Sequence, residues 1–165
     1  MSAGESDIKA GVRVLRLSVQ SPRKDRPHDF SDDLCFTPEL VSAFISAYTI
    51  PGQLVLDPFA GFGTTVHTAT AMGRQALGLE MDPVRLTYAR SRLARPECMQ
   101  QADVRHLDWA NVSPFTLAIG SPPYMSKHDQ NALGGHHTLK GNYDQYLQDL
   151  QQIYSNLARR SCGPA

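Results

Sequence analysis

The chain is short of cysteine, of net charge and of long apolar runs, and each shortage narrows what it can be. Its three cysteines, Cys35, Cys98 and Cys162, are scattered. They make no disulfide framework and no metal-ligand spacing, which suits a reducing compartment and leads us to expect a cytoplasmic protein. Acidic and basic residues balance at 16 each, so the chain as a whole is not a polycation. No signal peptide and no apolar stretch long enough to span a bilayer is visible, so no membrane partner is expected. Internal repeats and low-complexity tracts are also missing. At 165 residues the length suits one domain with a real core.

Alternation of strands and helices is what the sequence does have. Leu54-Val55-Leu56 reads as an apolar strand, Thr65 to Met72 as a helix, Ala76-Leu77-Gly78-Leu79 as a second strand and Pro83 to Leu93 as its helix. A weak third strand falls around Glu97 to Gln101, and Phe115 to Ile119 reads as a buried fourth. Before them, Thr37-Pro38 supply a cap and first-turn proline for a helix over Glu39 to Tyr48. This order predicts an α/β fold, a parallel sheet with helices on both faces. At the end, Asn142 can cap a helix whose Tyr143, Tyr146, Leu147, Leu150, Ile153, Tyr154 and Leu157 form one apolar stripe, read as core packing. Residues 1 to 10 read as disordered, Gly11 to Gln20 as a possible strand and Ser21 to Asp33 as a polar loop. Residues 1–30 are thus expected to be an N-terminal arm and residues 31–165 the folded domain.

The first chemically informative stretch is Asp57-Pro58-Phe59-Ala60-Gly61-Phe62-Gly63-Thr64-Thr65, between a strand and a helix. Gly61 and Gly63 resemble half of a dinucleotide fingerprint, but Val66 occupies the third glycine position and no P-loop lysine is present. A pyrophosphate site is therefore unexpected. Asp57 at the strand end would repel phosphate, yet it suits a cofactor that carries an ammonium group. S-adenosylmethionine has an ammonium, a sulfonium and no phosphate. An ordinary strand-to-helix turn would also explain the glycines.

Glu80 ends the second strand, where a carboxylate can take both ribose hydroxyls of a nucleoside; a solvated loop acid is the plain alternative. Asp103 follows the third strand and is placed to accept from an adenine amino group, or simply to cap a turn.

Ser121-Pro122-Pro123-Tyr124 follows the fourth strand. An exocyclic base amine is a poor nucleophile because its lone pair is delocalised into the ring. A serine hydroxyl and the carbonyl of the first proline can accept hydrogen bonds from the amino hydrogens and free that lone pair. Two prolines fix their own φ and hold the acceptors in place before substrate arrives. Tyr124 offers a face on which an extruded base can stack. Pro-Pro is also a common way to end a strand.

Together, in this order and spacing, these segments resemble the S-adenosylmethionine-dependent amino-methyltransferases of DNA, which modify N4 of cytosine or N6 of adenine. The resemblance covers about residues 30 to 160. It implies a Rossmann-like fold and catalysis at Ser121, Pro122, Pro123 and Tyr124. It also implies that S-adenosylmethionine is held by Phe36 and Thr37, by Asp57, Pro58, Phe59, Ala60, Gly61, Gly63, Thr64 and Thr65, and by Glu80, Met81, Asp103 and Val104. The segment Phe36-Thr37-Pro38-Glu39-Leu40 is similar to the one that packs near the methionine in this family. Serine in the first position of the turn goes more often with cytosine N4, aspartate with adenine N6.

Cytosine C5 chemistry needs a cysteine nucleophile after a proline, and Cys35, Cys98 and Cys162 follow Leu34, Glu97 and Ser161. Enzymes that methylate protein glutamine use a similar turn that begins with asparagine, and Ser121 departs from it. Methylation of an RNA base amine and a cofactor-binding module without activity remain alternatives. DNA is the expected partner, with RNA possible. The candidate basic footprint is local: Arg13, Arg16, Arg23, Lys24 and Arg26, which a solvated arm would equally explain. Lys127 to Gly141 has no periodicity and is long for a connection, so it is functional or disordered, and it could close over the base. His128, Asp129, His136 and His137 within it match no usual metal site, and no metal is expected. The resemblance implies more strands than are readable here, and Ser161 to Ala165 reads as the turn before another. We therefore expect the domain to be truncated after the fourth strand and its helix, completed by a longer chain or a dimer mate.

Overall fold

In a computed structural model of the chain, the described residues are 6–9, 12–15, 36–123 and 143–162. The central element is a four-stranded parallel sheet. Its strands are β3 (Leu54–Asp57), β4 (Gln75–Glu80), β5 (Met99–Gln101) and β6 (Leu117–Ala118), in the order β5-β4-β3-β6. Two further strands, β1 (Ser6–Lys9) and β2 (Val12–Leu15), pair antiparallel as a sheet of their own. This corrects the reading of residues 1 to 10 as disordered, because residues 6–9 form a strand. It also shows that the N-terminal strand pairs with its sequence neighbour and not with the parallel sheet; adjacent short strands close a hairpin at little cost in chain entropy.

Helix α1 (Pro38–Tyr48) begins as the sequence indicates. Thr37 is its N-cap, accepting from the Leu40 N–H at 3.3 Å, and Pro38 fills the first turn, where its missing N–H costs nothing. Helix α2 (Thr64–Ala71) follows the glycine turn, and α3 (Pro83–Ser91) is capped by Asp82, which accepts from Val84 and Arg85. Helix α4 is Tyr143–Arg160.

The sheet sorts its residues by the two-residue period of a strand. Val55, Ala76 and Met99 face α1, α2 and α3, packing with Val41, Ile45, Val66, Ala69, Leu86 and Ala89. Leu56 and Leu79 face the opposite way, packing with Phe115, Val104, Val112 and α4's Ile153 and Leu157. Helices thus lie on both faces. The apolar stripe of α4 is only partly core: Tyr146, Ile153 and Leu157 are buried, but Leu147 and Tyr154 are exposed. Leu147 and Tyr154, seven residues apart, lie along one flank of the stripe, each one step round the helix from a buried neighbour, Tyr146 or Ile153.

Strand β6 is shorter than the apolar run that encodes it. It pairs with β3 on one side, where Thr116 and Ile119 donate to Leu54 and Leu56 at 3.0 and 2.9 Å. On its other side the chain returns after α4. Ser161 forms a parallel bridge with Phe115, and the Cys162 N–H donates to the Phe115 carbonyl at 2.9 Å. The turn expected over residues 161–165 therefore starts already paired to the sheet. Arg160 fixes this return by donating to the Val112 carbonyl. The long connection Lys127 to Gly141, with its histidines, and the basic residues 16–26 lie outside the described residues. No described helix is long and apolar enough to cross a membrane.

Candidate active site

The carboxyl ends of β3, β4 and β6 lie side by side, and of the residues nominated from sequence Asp57, Glu80, Ser121, Pro122 and Pro123 stand at or just beyond them. By strand period Asp57 shares a face with Val55, and Glu80 with Ala76 and Gly78, so both acids lie on the α1–α3 side of the sheet. Both are nearly inaccessible, 4% and 7% exposed.

The glycine turn over them is fixed by hydrogen bonds. Asp57 Oδ1 accepts from the Phe59 N–H at 3.0 Å, and the Thr65 side chain also hydrogen-bonds its carboxylate. The Ala60 N–H donates to the Leu79 carbonyl at 2.9 Å, tying the loop to β4. Glu80 holds both loops at once: Oε2 accepts from the Gly61 N–H and Oε1 from the Asp82 N–H, each at 2.8 Å. Gly61 and Gly63 have positive φ, 51° and 76°, which L side chains rarely adopt. A side chain at Gly78 would collide with Met99 Sδ, Val66 and Ala60, so that glycine lets the loop lie down on β4.

Burial dominates the electrostatics. It pushes the Asp57 carboxyl up to about 6, against the pull of Thr65 and the Phe59 amide and with help from the nearby Glu80 charge. Burial also raises Glu80, opposed by the Asp82 and Gly61 amides and by the Arg85 charge. Two desolvated acids at adjacent strand ends favour a cationic or hydroxyl-bearing ligand. The loop itself, residues 57 to 65, carries no lysine or arginine to receive a phosphate.

Asp103 is arranged differently. It caps the 3-10 turn Val104–His106 and grips Arg105, whose guanidinium donates to Oδ1 at 2.9 Å and to Oδ2 at 2.5 Å. Burial raises its carboxyl, but the Arg105 hydrogen bonds and charge outweigh burial and hold it below the usual range. Any base contact by Asp103 would be made by a carboxylate already paired. Val104 is buried in the core on the α4 side. Met81 lies next to Glu80, and its carbonyl accepts from the Gln101 side chain at 3.4 Å.

Ser121, Pro122 and Pro123 follow β6, which neighbours β3, so the proline turn and the glycine turn stand side by side. Ser121 is exposed and the two prolines are half-buried. Tyr124 lies outside the described residues. An apolar groove of about 590 Å³ runs from this point between α1 and α4. Phe36, Pro58, Phe59 and Gly120 share it with Leu40, Phe44 and Tyr154. Among the described residues no group of three or more His, Cys, Asp or Glu is placed to hold a metal ion.

Three features were not nominated from sequence, and one nominated residue has a contact that was not foreseen. Thr65, expected to hold the cofactor, hydrogen-bonds the Asp57 carboxylate, and the un-nominated Arg105 occupies Asp103. Gly78 and Gly120 are required by close approach. A glycine inside a strand signals such an approach, so Gly78 was readable. Gly120 directly before a proline turn carried no such signal.

Residues 14–91 match the model of a family described as "DNA methylase". Among curated proteins, the chain is 45% identical over 58 residues to the type II methyltransferase M.XycI of Xanthomonas campestris pv. cyanopsidis, which covers 35% of this chain and 19% of that protein. It is 26% identical over 96 residues to the type II methyltransferase M.MjaII of Methanocaldococcus jannaschii, 58% of this chain and 18% of the relative. The chain therefore spans about a fifth of the length of either. Among solved structures, TrmN from Thermus thermophilus superposes with a TM-score of 0.56 at 21% identity, over 76% of this chain and 35% of its own. That likeness identifies the fold, the Rossmann-like methyltransferase sheet.

Proposed function

We propose that the chain, which is similar over residues 14–91 to the DNA methylase family and over 58 residues to a type II methyltransferase, is an amino-methyltransferase of DNA that transfers a methyl group from S-adenosylmethionine to an exocyclic amine of a DNA base. The observation that carries this reading is the adjacency of two dissimilar turns. One, after β3, is closed over two buried acids; the other, after β6, presents an exposed serine beside two half-buried prolines. A donor site and an acceptor site belong side by side in a group transfer.

The acids fit the proposed cofactor. Asp57, ionised, faces a cation; Glu80 has lone pairs beyond those taken by Gly61 and Asp82 to accept from ribose hydroxyls. S-adenosylmethionine supplies an activated methyl on a sulfonium. The remaining work falls to the chain: the Ser121 hydroxyl and the Pro122 carbonyl accept from the target amino group, localise its lone pair and orient it. No covalent intermediate with the protein is required. The finer assignment, cytosine N4 over adenine N6, is supported by serine in the first position of the turn.

The deciding experiment is transfer of labelled methyl from S-adenosylmethionine to duplex DNA, to RNA and to a blank. Label in DNA, recovered as 4-methylcytosine, is the expected result. Label in RNA alone, or in neither, would overturn the reading.

A further inference from the structure

Six glycines fall in the described region, and four of them, Gly52, Gly61, Gly63 and Gly73, have positive φ. Gly78 and Gly120 do not, so backbone conformation is not what excludes a side chain there. At Gly78 the neighbours are apolar and the reason is packing. At Gly120 the neighbour is a carboxylate: a Cβ would lie 2.5 Å from Asp57 Oδ1 and 3.1 Å from Pro58 Cδ. That oxygen is the one that accepts from the Phe59 N–H. The residue before Gly120 is hydrogen-bonded to β3, Ile119 N–H to Leu56 at 2.9 Å, so Gly120 has little freedom to swing away on its own.

We infer that Gly120 is a positioning residue: its missing side chain seats the backbone leading into Ser121 directly against the Asp57 carboxylate, and this contact sets the spacing between the acceptor turn and the donor loop. The inference deepens the proposed methyl transfer and rests on it. Asp57 is then a wall shared by two subsites, one for the cofactor's cationic end and one for the amine. A methyl group at position 120 must displace something. Strand β3 is held between β4 and β6, and its Asp57 is locked from below by Phe59 and Thr65. Strand β6 is two residues long and ends just before the turn. The turn therefore yields and the carboxylate stays. An ångström of misplacement between reacting groups is enough to cost about a hundredfold in rate.

The test is a double-mutant cycle in the full chain with Gly120→Ala, Asp57→Ser and the pair, serine being short enough to admit the new methyl. Thermal melting without cofactor reads the contact. Gly120→Ala should lower Tm in the native background and by less than half as much beside Asp57→Ser; equal shifts in both backgrounds would overturn the contact. If Gly120→Ala alone fails to fold, the double variant must fold, and its failure too would overturn the inference. Calorimetry with S-adenosylhomocysteine and turnover on DNA then read the role. Gly120→Ala should keep affinity for S-adenosylhomocysteine within about threefold while turnover falls on the order of a hundredfold. Equal losses in both would overturn the positioning role. A native chain that binds no S-adenosylhomocysteine would defeat the methyl-transfer reading instead, while the melting cycle would still decide whether the two residues touch.

Discussion

The donor-side loops and the acceptor-side turn sit at the same end of one sheet and are built in opposite ways. After β3 and β4 the chain is fastened from below. Two buried carboxylates accept from Phe59, Gly61 and Asp82, and two glycines in left-handed conformations bend the loop over them. After β6 the turn is stiffened from within by Pro122 and Pro123 and leaves Ser121 exposed. The difference matches what each side would bind in the proposed methyl transfer. A small cationic nucleoside can be enclosed by desolvated acids. A base that arrives on a polymer needs an open approach, so rigidity there has to come from covalent geometry.

The most damaging change to the open side is predicted to be Ser121→Ala. If the serine polarises the amine only during reaction, turnover should fall on the order of 10²–10³-fold, the usual effect of removing one preorganised hydrogen-bonding group. Affinity for S-adenosylhomocysteine should be unchanged, since Ser121 takes no part in the clamp below. Single-turnover kinetics beside calorimetry check the split. Parallel loss of both quantities would mean that the two sides are one unit and the comparison is wrong.

The closed side should reveal itself through pH. Burial raises Asp57 from 3.8 to about 6 in the folded chain. Below about pH 4 the folded and unfolded states both hold the proton. Between about 4 and 6 the unfolded state has released it and the folded state has not, so rising pH favours unfolding. The stability present below pH 4 is lost as pH climbs through about 6, on the order of 3 kcal/mol for a shift of this size. Glu80, also raised, pushes the same way. Asp57→Asn should therefore flatten the pH dependence of Tm and raise Tm above pH 7. It should at the same time weaken S-adenosylhomocysteine binding, a stability gain at the cost of function. In the unaltered protein, affinity should fall as pH drops below about 6, because the ligand's ammonium needs the ionised acid. A pH-independent affinity between 5 and 8 would remove Asp57 from the cofactor site.

A smaller loss is expected from Glu80→Ala. Ribose hydrogen bonds to a charged acceptor are worth about 1–3 kcal/mol, so cofactor affinity should fall by roughly ten- to a hundredfold. The same change frees the Gly61 and Asp82 amides. Hydrogen exchange at those two positions should speed up in Glu80→Ala and not in Ser121→Ala.

Sequence legibility divides along the same line. The closed side was readable because its rules are local: Thr37-Pro38 start α1, Asp57 ends an apolar strand, and two glycines separate it from a helix. Strand boundaries held within a few residues except at β6, where Phe115 to Ile119 gave only Leu117–Ala118 as strand. Its outer neighbour is one bridge, so few residues meet the pairing that defines a strand. The strand over residues 6–9 was missed because residues 1 to 10 look polar and mixed; its partner, residues 12–15, falls within the possible strand read over Gly11 to Gln20. Leu147 and Tyr154 were read as core because periodicity shows which face is apolar, not how wide a stripe of it the rest of the fold covers. Contacts between strands, such as Gly120 on Asp57, were invisible: nothing in one strand's residues states which atoms of the next will lie against them.

The smallest effect is predicted at the margin of the closed side, for Arg105→Ala. Arg105 grips Asp103 with two close contacts and lies 3.9 Å from Asp149 on α4. Both partners of the Asp103 pair are about a fifth exposed, so water screens the attraction. Their net worth should then be about 1 kcal/mol or less, seen as a drop in Tm of a few degrees. The informative readout is the cofactor. If Asp103 accepts from the adenine amino group through a lone pair left free by the guanidinium, removing Arg105 should change S-adenosylhomocysteine affinity less than threefold. A large gain would show instead that Arg105 competes with the base for the same oxygens. A large loss would show that the ion pair fixes the carboxylate as firmly as the backbone amides fix Glu80, and the donor side would then be closed along its whole length and not only over β3 and β4.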